Sequence, residues 1–442
     1  MKTVFVTSFN PFVSRNILAT DVLRLVKADT DLRVIIFCPD YKLNYFQKQF
    51  GDTNVSVEGV PTETVRKQDI IFSYLGSSLI RTKTLLIHRK EIFLRNRRIL
   101  TFLFSHLLFN IGWFPGLKAL VRWLDYCTID KNYFVQFFNQ YRPELIFATD
   151  VYNVDDVHML AEAKRRRIRT VGMIRSWDNI TNKGLFRVKP DKLIVHNEVL
   201  RDEACRYGAI SHRDILVSGL PQFDIYTQPL KRSRMEFFQK VKLDPKKKTI
   251  LVAPHGSRFY KEDWTLLEAL KKTPYQYIVR LPPNDCVDLS RFTPNANFFI
   301  EHPGHSFRPG IYRDQELTRE DTEGLAEELS YCDLVINYGS TVSIDAAFFN
   351  RPIIIVAFDG TKGRPYLQSV RRFLDFTHIR KTLGLQYCKI AFSEQELLSA
   401  MDAYLRNPNL DQAGRQRLVS AQVWKTDGRS GQRIAQFVLE QL

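Results

Sequence analysis

Several signatures that would settle a function at once are missing from this chain. Its six cysteines, Cys38, Cys127, Cys205, Cys286, Cys332 and Cys388, are scattered, with no Cys-x-x-Cys pair and no His-Glu-x-x-His. Neither a structural zinc nor a zinc-peptidase site is indicated, and no metal is expected. Thiols placed in apolar strands and helices suit a reducing, cytoplasmic setting. There is no Gly-x-x-x-x-Gly-Lys-Ser/Thr, and no Gly-x-Gly-x-x-Gly follows the first strand pattern. That excludes the two commonest phosphate-cradling loops. Long apolar runs are lacking too. The most apolar segment, residues 99–114, is short and carries Ser105, His106 and Asn110, so no transmembrane helix is expected. The first ten residues lack the longer apolar core and cleavage site of a signal peptide and read as a strand. Internal repeats and low-complexity tracts are absent as well.

Acidic residues are in short supply. Against 64 Lys and Arg stand 48 Asp and Glu, a net charge of +16, so a partner or surface of negative sign is expected. With 44% apolar and 25% charged residues in 442, the chain has ample core for two or three domains.

What is present is an alternation of strand and helix. Buried-strand patterns are predicted at 4–7, 34–38, 145–149, 170–174, 193–196 and 215–218, with helical patterns between them. A second set follows at 250–253, 277–281, 298–301, 334–337, 353–358 and 388–391. The fold class expected is α/β, two doubly wound, Rossmann-like domains facing across a cleft. The boundaries predicted are 1–225, a linker at 226–248, 249–415, and a terminal helical region at 416–442. A helical insertion at about 79–140 interrupts the first domain. In it Arg81, Lys83, Arg89, Lys90, Arg95, Arg97, Arg98, Lys118 and Arg122 are interleaved with Leu, Ile, Phe and Trp, and only Glu91 and Asp125 oppose them. That composition, over 83–125, suits an anionic bilayer surface. The basic run near 231–248 has no base-stacking aromatics, so nucleic acid is not an expected partner.

Ligands of doubly wound sheets collect beyond the C-terminal ends of the strands. Most prominent there is the turn after 334–337, where Gly339, Ser340, Thr341 and Ser343 crowd the start of a short helix. Free backbone N–H groups and hydroxyls at such a point suit a phosphate; an ordinary capped helix would show the same residues. Three more loops of the second half, His255-Gly256-Ser257-Arg258, the one at Arg280 and the one at His302, would add donors and cations. A diphosphate is the guest this set fits.

Ser176-Trp-Asp-Asn-Ile-Thr-Asn-Lys-Gly184, Gly219-Leu-Pro-Gln-Phe-Asp224 and the stretch 331–360 together resemble the GT-B glycosyltransferases, in the branch of the CDP-glycerol glycerophosphotransferases and bacterial surface-polysaccharide enzymes. The resemblance covers much of 145–360. It implies a donor held by the C-terminal domain at Gly339, Ser340, Thr341 and Ser343, and an acceptor on the N-terminal one, near Asn10, Trp177, Asn179 and Lys183. Two departures stand out. Where the glycerophosphotransferases have Trp-His-Gly, this chain has Trp177-Asp178-Asn179, and where they have His-Pro it has Pro282-Pro283. Loss of both histidines favours sugar transfer over glycerol-phosphate transfer.

The expected reaction is a metal-independent, inverting transfer from a nucleotide sugar to a glycan or lipid-linked acceptor, with no cofactor beyond that substrate. Asp178 is the first candidate for the base that deprotonates the acceptor, with Asp156 and Asp150 in reserve. The expected location is the cytoplasmic face of the membrane. A polyol-phosphate transferase, a sugar-nucleotide 2-epimerase of the same fold, or a non-catalytic protein binding anionic lipid or nucleic acid are the alternatives.

Overall fold

A computed structural model describes residues 1–61, 66–308, 310–360 and 364–442. The chain forms two compact units, 1–224 together with 424–442, and 225–423.

The first unit is built on a seven-stranded sheet: β1 (Lys2–Thr7), β2 (Leu32–Pro39), β3 (Val55–Val60), β4 (Leu145–Ala148), β5 (Arg169–Met173), β6 (Lys192–Val195) and β7 (Ile215–Val217). Their order is β3-β2-β1-β4-β5-β6-β7, and every pairing is parallel. The central strands are apolar nearly throughout, as a sheet covered on both faces requires. The order reverses between β1 and β4, so the crevice beyond Thr7 and Ala148 is a topological switch point. The terminal helix Ser430–Leu439 belongs to this unit. Its Ile434, Ala435 and Val438 join the core formed by Val4, Val34 and Leu145. The Asp224 carboxylate receives the backbone N–H groups of Ser430 (3.1 Å) and Gly431 (2.7 Å), which caps that helix. This gives the Gly219–Asp224 motif a structural task.

The second unit carries six parallel strands: β8 (Thr249–Val252), β9 (Gln276–Arg280), β10 (Phe298–Glu301), β11 (Leu334–Asn337), β12 (Ile353–Val356) and β13 (Lys389–Ala391). Their order is β10-β9-β8-β11-β12-β13. The switch point here lies between β8 and β11. The segment expected as a linker folds into this unit. Helix Arg234–Val241 starts at a Ser233/Glu236 capping box and buries Phe237, Phe238 and Val241 against Leu251, Ile278 and Leu329.

The insertion expected at about 79–140 consists of helices Lys83–Asn96, Ile99–Ile111, Pro115–Thr128 and Val135–Tyr141, and helix Lys67–Ser78 precedes it. Buried charge ties it to its unit. Arg187 grips Asp125 with Nε (2.8 Å) and Nη2 (2.8 Å), and Nη2 also reaches Asp69 (2.7 Å). His158 meets the same Asp69 at 3.1 Å. Arg122, expected on the lipid-facing surface, instead donates to the Phe186 and Gly208 carbonyls (2.8 and 2.7 Å).

Candidate active site

In the second unit the loops after β8, β11 and β12 converge on one polar cradle. Asp263, buried at the start of helix Asp263–Leu270, accepts the backbone N–H groups of His255 and Gly256, both at 3.0 Å. Burial pushes its carboxyl up to about 6. Gly256 has φ +95, and a Cβ there would lie 2.5 Å from an Asp285 oxygen. Only glycine fits this bend. The His255 ring packs between Phe373 (4.3 Å), Phe259 (5.0 Å) and Tyr338 (5.7 Å). Burial, with Arg372 close by, lowers its pKa to about 3. His255 is therefore neutral rather than one of the cations the sequence suggested, and its Nε2 is buried without a hydrogen-bond partner. The Tyr260 hydroxyl accepts the Gly360 N–H at 2.7 Å, joining the β12 loop to the same cradle.

The Gly339 turn differs from the expectation in one respect. Asn337 Oδ1 accepts from Gly339 N (2.6 Å), Ser340 N (3.1 Å) and Ser343 Oγ (3.1 Å). These three donors are thus engaged by the protein itself, and Thr341, exposed at the N-cap, stands at the open side of the turn. Gly339 has φ +82, which lets the chain reverse there.

Arg280 lies apart from this cradle in its bonding. It is held by Glu301 and by Glu328 (3.1 Å), and donates to the Asp321 carbonyl at 2.8 Å. With two carboxylates around it, Arg280 serves the packing of β9, β10 and helix Arg319–Tyr331 rather than offering free charge. His302 is exposed. Ser257 N donates to the Cys286 carbonyl (2.7 Å) and Arg258 N to Asp285 (3.0 Å), while the Arg258 side chain stays exposed. Partial burial and the like charge of Arg313 lower the Arg258 pKa, a repulsion that a bound anion would relieve. Asn337, Tyr338, Asp263 and Arg372 are the members of this cradle that sequence reasoning missed. Only a polar residue ending an apolar strand, as Asn337 does, offered a signal.

In the first unit the carboxylates divide by environment. Asp150 is buried under Arg175 (2.9 Å) and Lys183 (3.6 Å). Burial alone would raise it, but those cations outweigh burial and hold it below the usual range. Asp156 is wholly buried, accepting from the Thr7 hydroxyl and from Asp150 N (3.2 Å). Burial, then the neighbouring Asp150, push its pKa well up. Neither is open to a solvent-side hydroxyl: Asp150 is salt-bridged and buried, and Asp156 is wholly buried. Asp178 is half-buried beside helix Asn179–Lys183 and accepts from Ser176 Oγ (2.5 Å), Asn182 Nδ2 (3.0 Å) and Asn179 Nδ2 (3.3 Å). Those three donors are a hydroxyl and two side-chain amides.

In the same unit, buried polar atoms lack hydrogen-bond partners: Ser8 Oγ, Asn179 Oδ1 and both ring nitrogens of His196. Buried polar groups are rarely left so, and several at the strand ends of one sheet suit a polar ligand. Burial, then Arg175, hold His196 neutral, at about 3. Asn10 is occupied as a cap, accepting Phe12 N at 3.1 Å. Trp177 is half-buried. Among the described residues no group of three or more His, Cys, Asp or Glu is placed to hold a metal ion.

A family model described as CDP-Glycerol:Poly(glycerophosphate) glycerophosphotransferase matches residues 175–440, more than half of the chain. The chain belongs to this family. The match opens at Arg175, directly before the Ser176–Gly184 loop, and leaves the helical insertion outside. No curated protein matches by sequence. Among solved structures, the UDP-GlcNAc 2-epimerase of Neisseria meningitidis bound to UDP-GlcNAc is similar over 100% of both chains, with a TM-score of 0.58 at 12% identity. The Methanocaldococcus jannaschii UDP-GlcNAc 2-epimerase in complex with UDP-GlcNAc and UDP also covers 100% of both, at 0.55 and 13%. The S. aureus MnaA structure with UDP covers 100% of this chain and 98% of its own, at 0.55 and 11%. At these identities the likeness shows the fold, which is the two-domain GT-B fold. The glycerophosphotransferase-family chain is thus an enzyme of GT-B architecture.

Proposed function

We propose that the chain is a metal-independent, inverting glycosyltransferase that moves a sugar from a nucleotide-sugar donor to a glycan or lipid-linked acceptor. Bacterial surface-polysaccharide synthesis at the anionic cytoplasmic face of the membrane is the setting its basic, apolar insertion suits. The observation that carries the reading is Asp178: a half-buried carboxylate held by Ser176 and Asn182, at the position where the resembling enzymes carry histidine. Asp178 takes the proton of an acceptor hydroxyl as that oxygen bonds to the anomeric carbon. The bond from that carbon to the phosphate oxygen breaks with its electron pair, and the nucleoside diphosphate leaves; within the second unit, the loops of His255, Gly256, Arg258 and Thr341 are the proposed holder of its charge. Metal-independence rests on the Arg258 side chain meeting that charge. The structures that bind UDP or UDP-GlcNAc share this fold and support a nucleotide-linked donor.

A second reading, transfer of a polyol phosphate from a CDP-linked donor, draws on the family match itself. A thermal-shift panel with UDP, GDP, CDP and dTDP separates the two. A nucleotide at one hundred times its Kd adds roughly 2.7 kcal/mol of stability. Stabilisation by UDP, GDP or dTDP is the expected result, CDP ahead of the rest favours the second reading, and no shift with any of them overturns both.

A further inference from the structure

Helix Ile99–Ile111 is rich in Ile, Leu and Phe, yet among its residues only Ser105 and Leu108 are buried. Leu100 is 79% exposed, and Leu103, Phe104 and Leu107 are about half exposed. A helix apolar on faces turned outward is out of place in water and marks a contact surface. Between it and helices Lys67–Ser78 and Lys83–Asn96 runs a groove of about 450 Å³, walled by Ile70, Ile71, Ile92, Phe93 and Phe104. That volume falls in the roughly 300–1,000 Å³ range of sites that enclose a small molecule.

Two arginines line the same groove, Arg89 and Arg98. Arg89 is only 6% exposed. It donates one bond, Nη1 to the Ser105 carbonyl at 3.2 Å, and lies over the Phe109 ring at 4.3 Å. Its Nε and Nη2 are buried without hydrogen-bond partners. A buried guanidinium left so is costly unless an anion completes it. The nearby carboxylates are committed elsewhere: Glu91 to His88, Asp69 and Asp125 to Arg187. Apolar walls and an unsatisfied buried cation in one groove describe a receptor for an anionic amphiphile.

We propose that this groove takes one acyl chain of a phosphate-bearing lipid drawn from an anionic membrane, with Arg89 and Arg98 on the phosphate. The proposal rests on the membrane-surface reading above and adds to it a defined lipid site, outside the part of the chain that the family match covers. Lipid so held would tether the first unit beside its own membrane-bound acceptor.

The full chain is floated with vesicles of phosphatidylcholine, alone or mixed with phosphatidylglycerol carrying a diazirine at the end of one acyl chain; after irradiation the label is mapped by mass spectrometry. Expected are flotation with the anionic vesicles and label within residues 70–75 and 92–104. Arg98→Gln should weaken anionic binding roughly fivefold, the contribution of one basic residue near such a surface. Ile92→Glu, at a half-exposed position that leaves the fold intact, should remove the groove label. Arg89→Met keeps the stem and removes the charge, so it should raise the melting temperature of the lipid-free protein while reducing label in the groove. Flotation with label confined to residues 113–124 overturns the groove and spares the membrane reading. Failure to float overturns both, while leaving nucleotide binding untouched. An Arg89→Met variant that melts lower and labels normally makes Arg89 a structural residue and also overturns the proposal.

Discussion

Asp178 and Asp263 show how one residue type takes different tasks from its surroundings. Asp178 is half-buried and accepts from Ser176 and Asn182, which orients the carboxylate proposed to meet an incoming hydroxyl. Asp178→Asn should lower kcat by about 10²–10⁴-fold with the donor KM little changed, as measured in steady-state transfer assays. An unchanged kcat would remove Asp178 from the reaction. Asp263 instead lies beneath the His255–Gly256 bend, and burial lifts its pKa to about 6. A carboxyl raised in this way stabilises the fold fully below its ordinary pKa near 4, and that contribution is lost as pH rises through about 6. The stability difference between the wild type and Asp263→Asn should therefore fall by about 3 kcal/mol at most across that window in urea titrations, and be flat above it. At this scale the sequence was only partly legible. It shows that Gly339 begins a helix, but not that Asn337 claims the donors of that turn. It shows Arg280 at a strand end, but not the Glu301 and Glu328 carboxylates that take it. Chemical type is written along the chain, whereas side-chain direction and partner are set by the fold, locally for Asn337 and across 21 and 48 positions for Arg280.

Whole elements were easier to read where burial is complete. β11 and β12 are unbroken apolar runs between turn residues, and both appear where their patterns place them. β3 was missed because it is an edge strand of four residue types, Val-Ser-Val-Glu-Gly-Val, with only three positions buried. Helix Arg234–Val241 lies in the segment expected as a solvated linker, yet its Phe237, Phe238 and Val241 are buried and anchor it to the second unit. The insertion carries its own test. Arg187 neutralises Asp69 and Asp125, all three nearly inaccessible to solvent, and so fastens helices Lys67–Ser78 and Pro115–Thr128 to the segment after helix Asn179–Lys183. Arg187→Gln leaves two buried carboxylates without their cation and should cost about 3–5 kcal/mol in urea unfolding. A loss below about 1 kcal/mol would show that the insertion is held by its apolar contacts alone.

For the molecule as a whole, the excess of base over acid has two destinations. One is the group of loops in the second unit that carries Arg258, whose pKa partial burial and then Arg313 lower. The other is the insertion of the first, where basic residues are interleaved with apolar ones; no helix among the described residues is long and apolar enough to cross a membrane. The GT-B fold is common to transferases and epimerases, so the fold alone does not choose a reaction. That choice rests on where the nucleotide sits. Amide hydrogen exchange on the full chain, with and without the nucleoside diphosphate that stabilises it most, measures this directly. Slowed exchange at 255–258 and 339–343, with the sheets unchanged, is the expected result; protection confined to the first unit, or none at either loop, would contradict it.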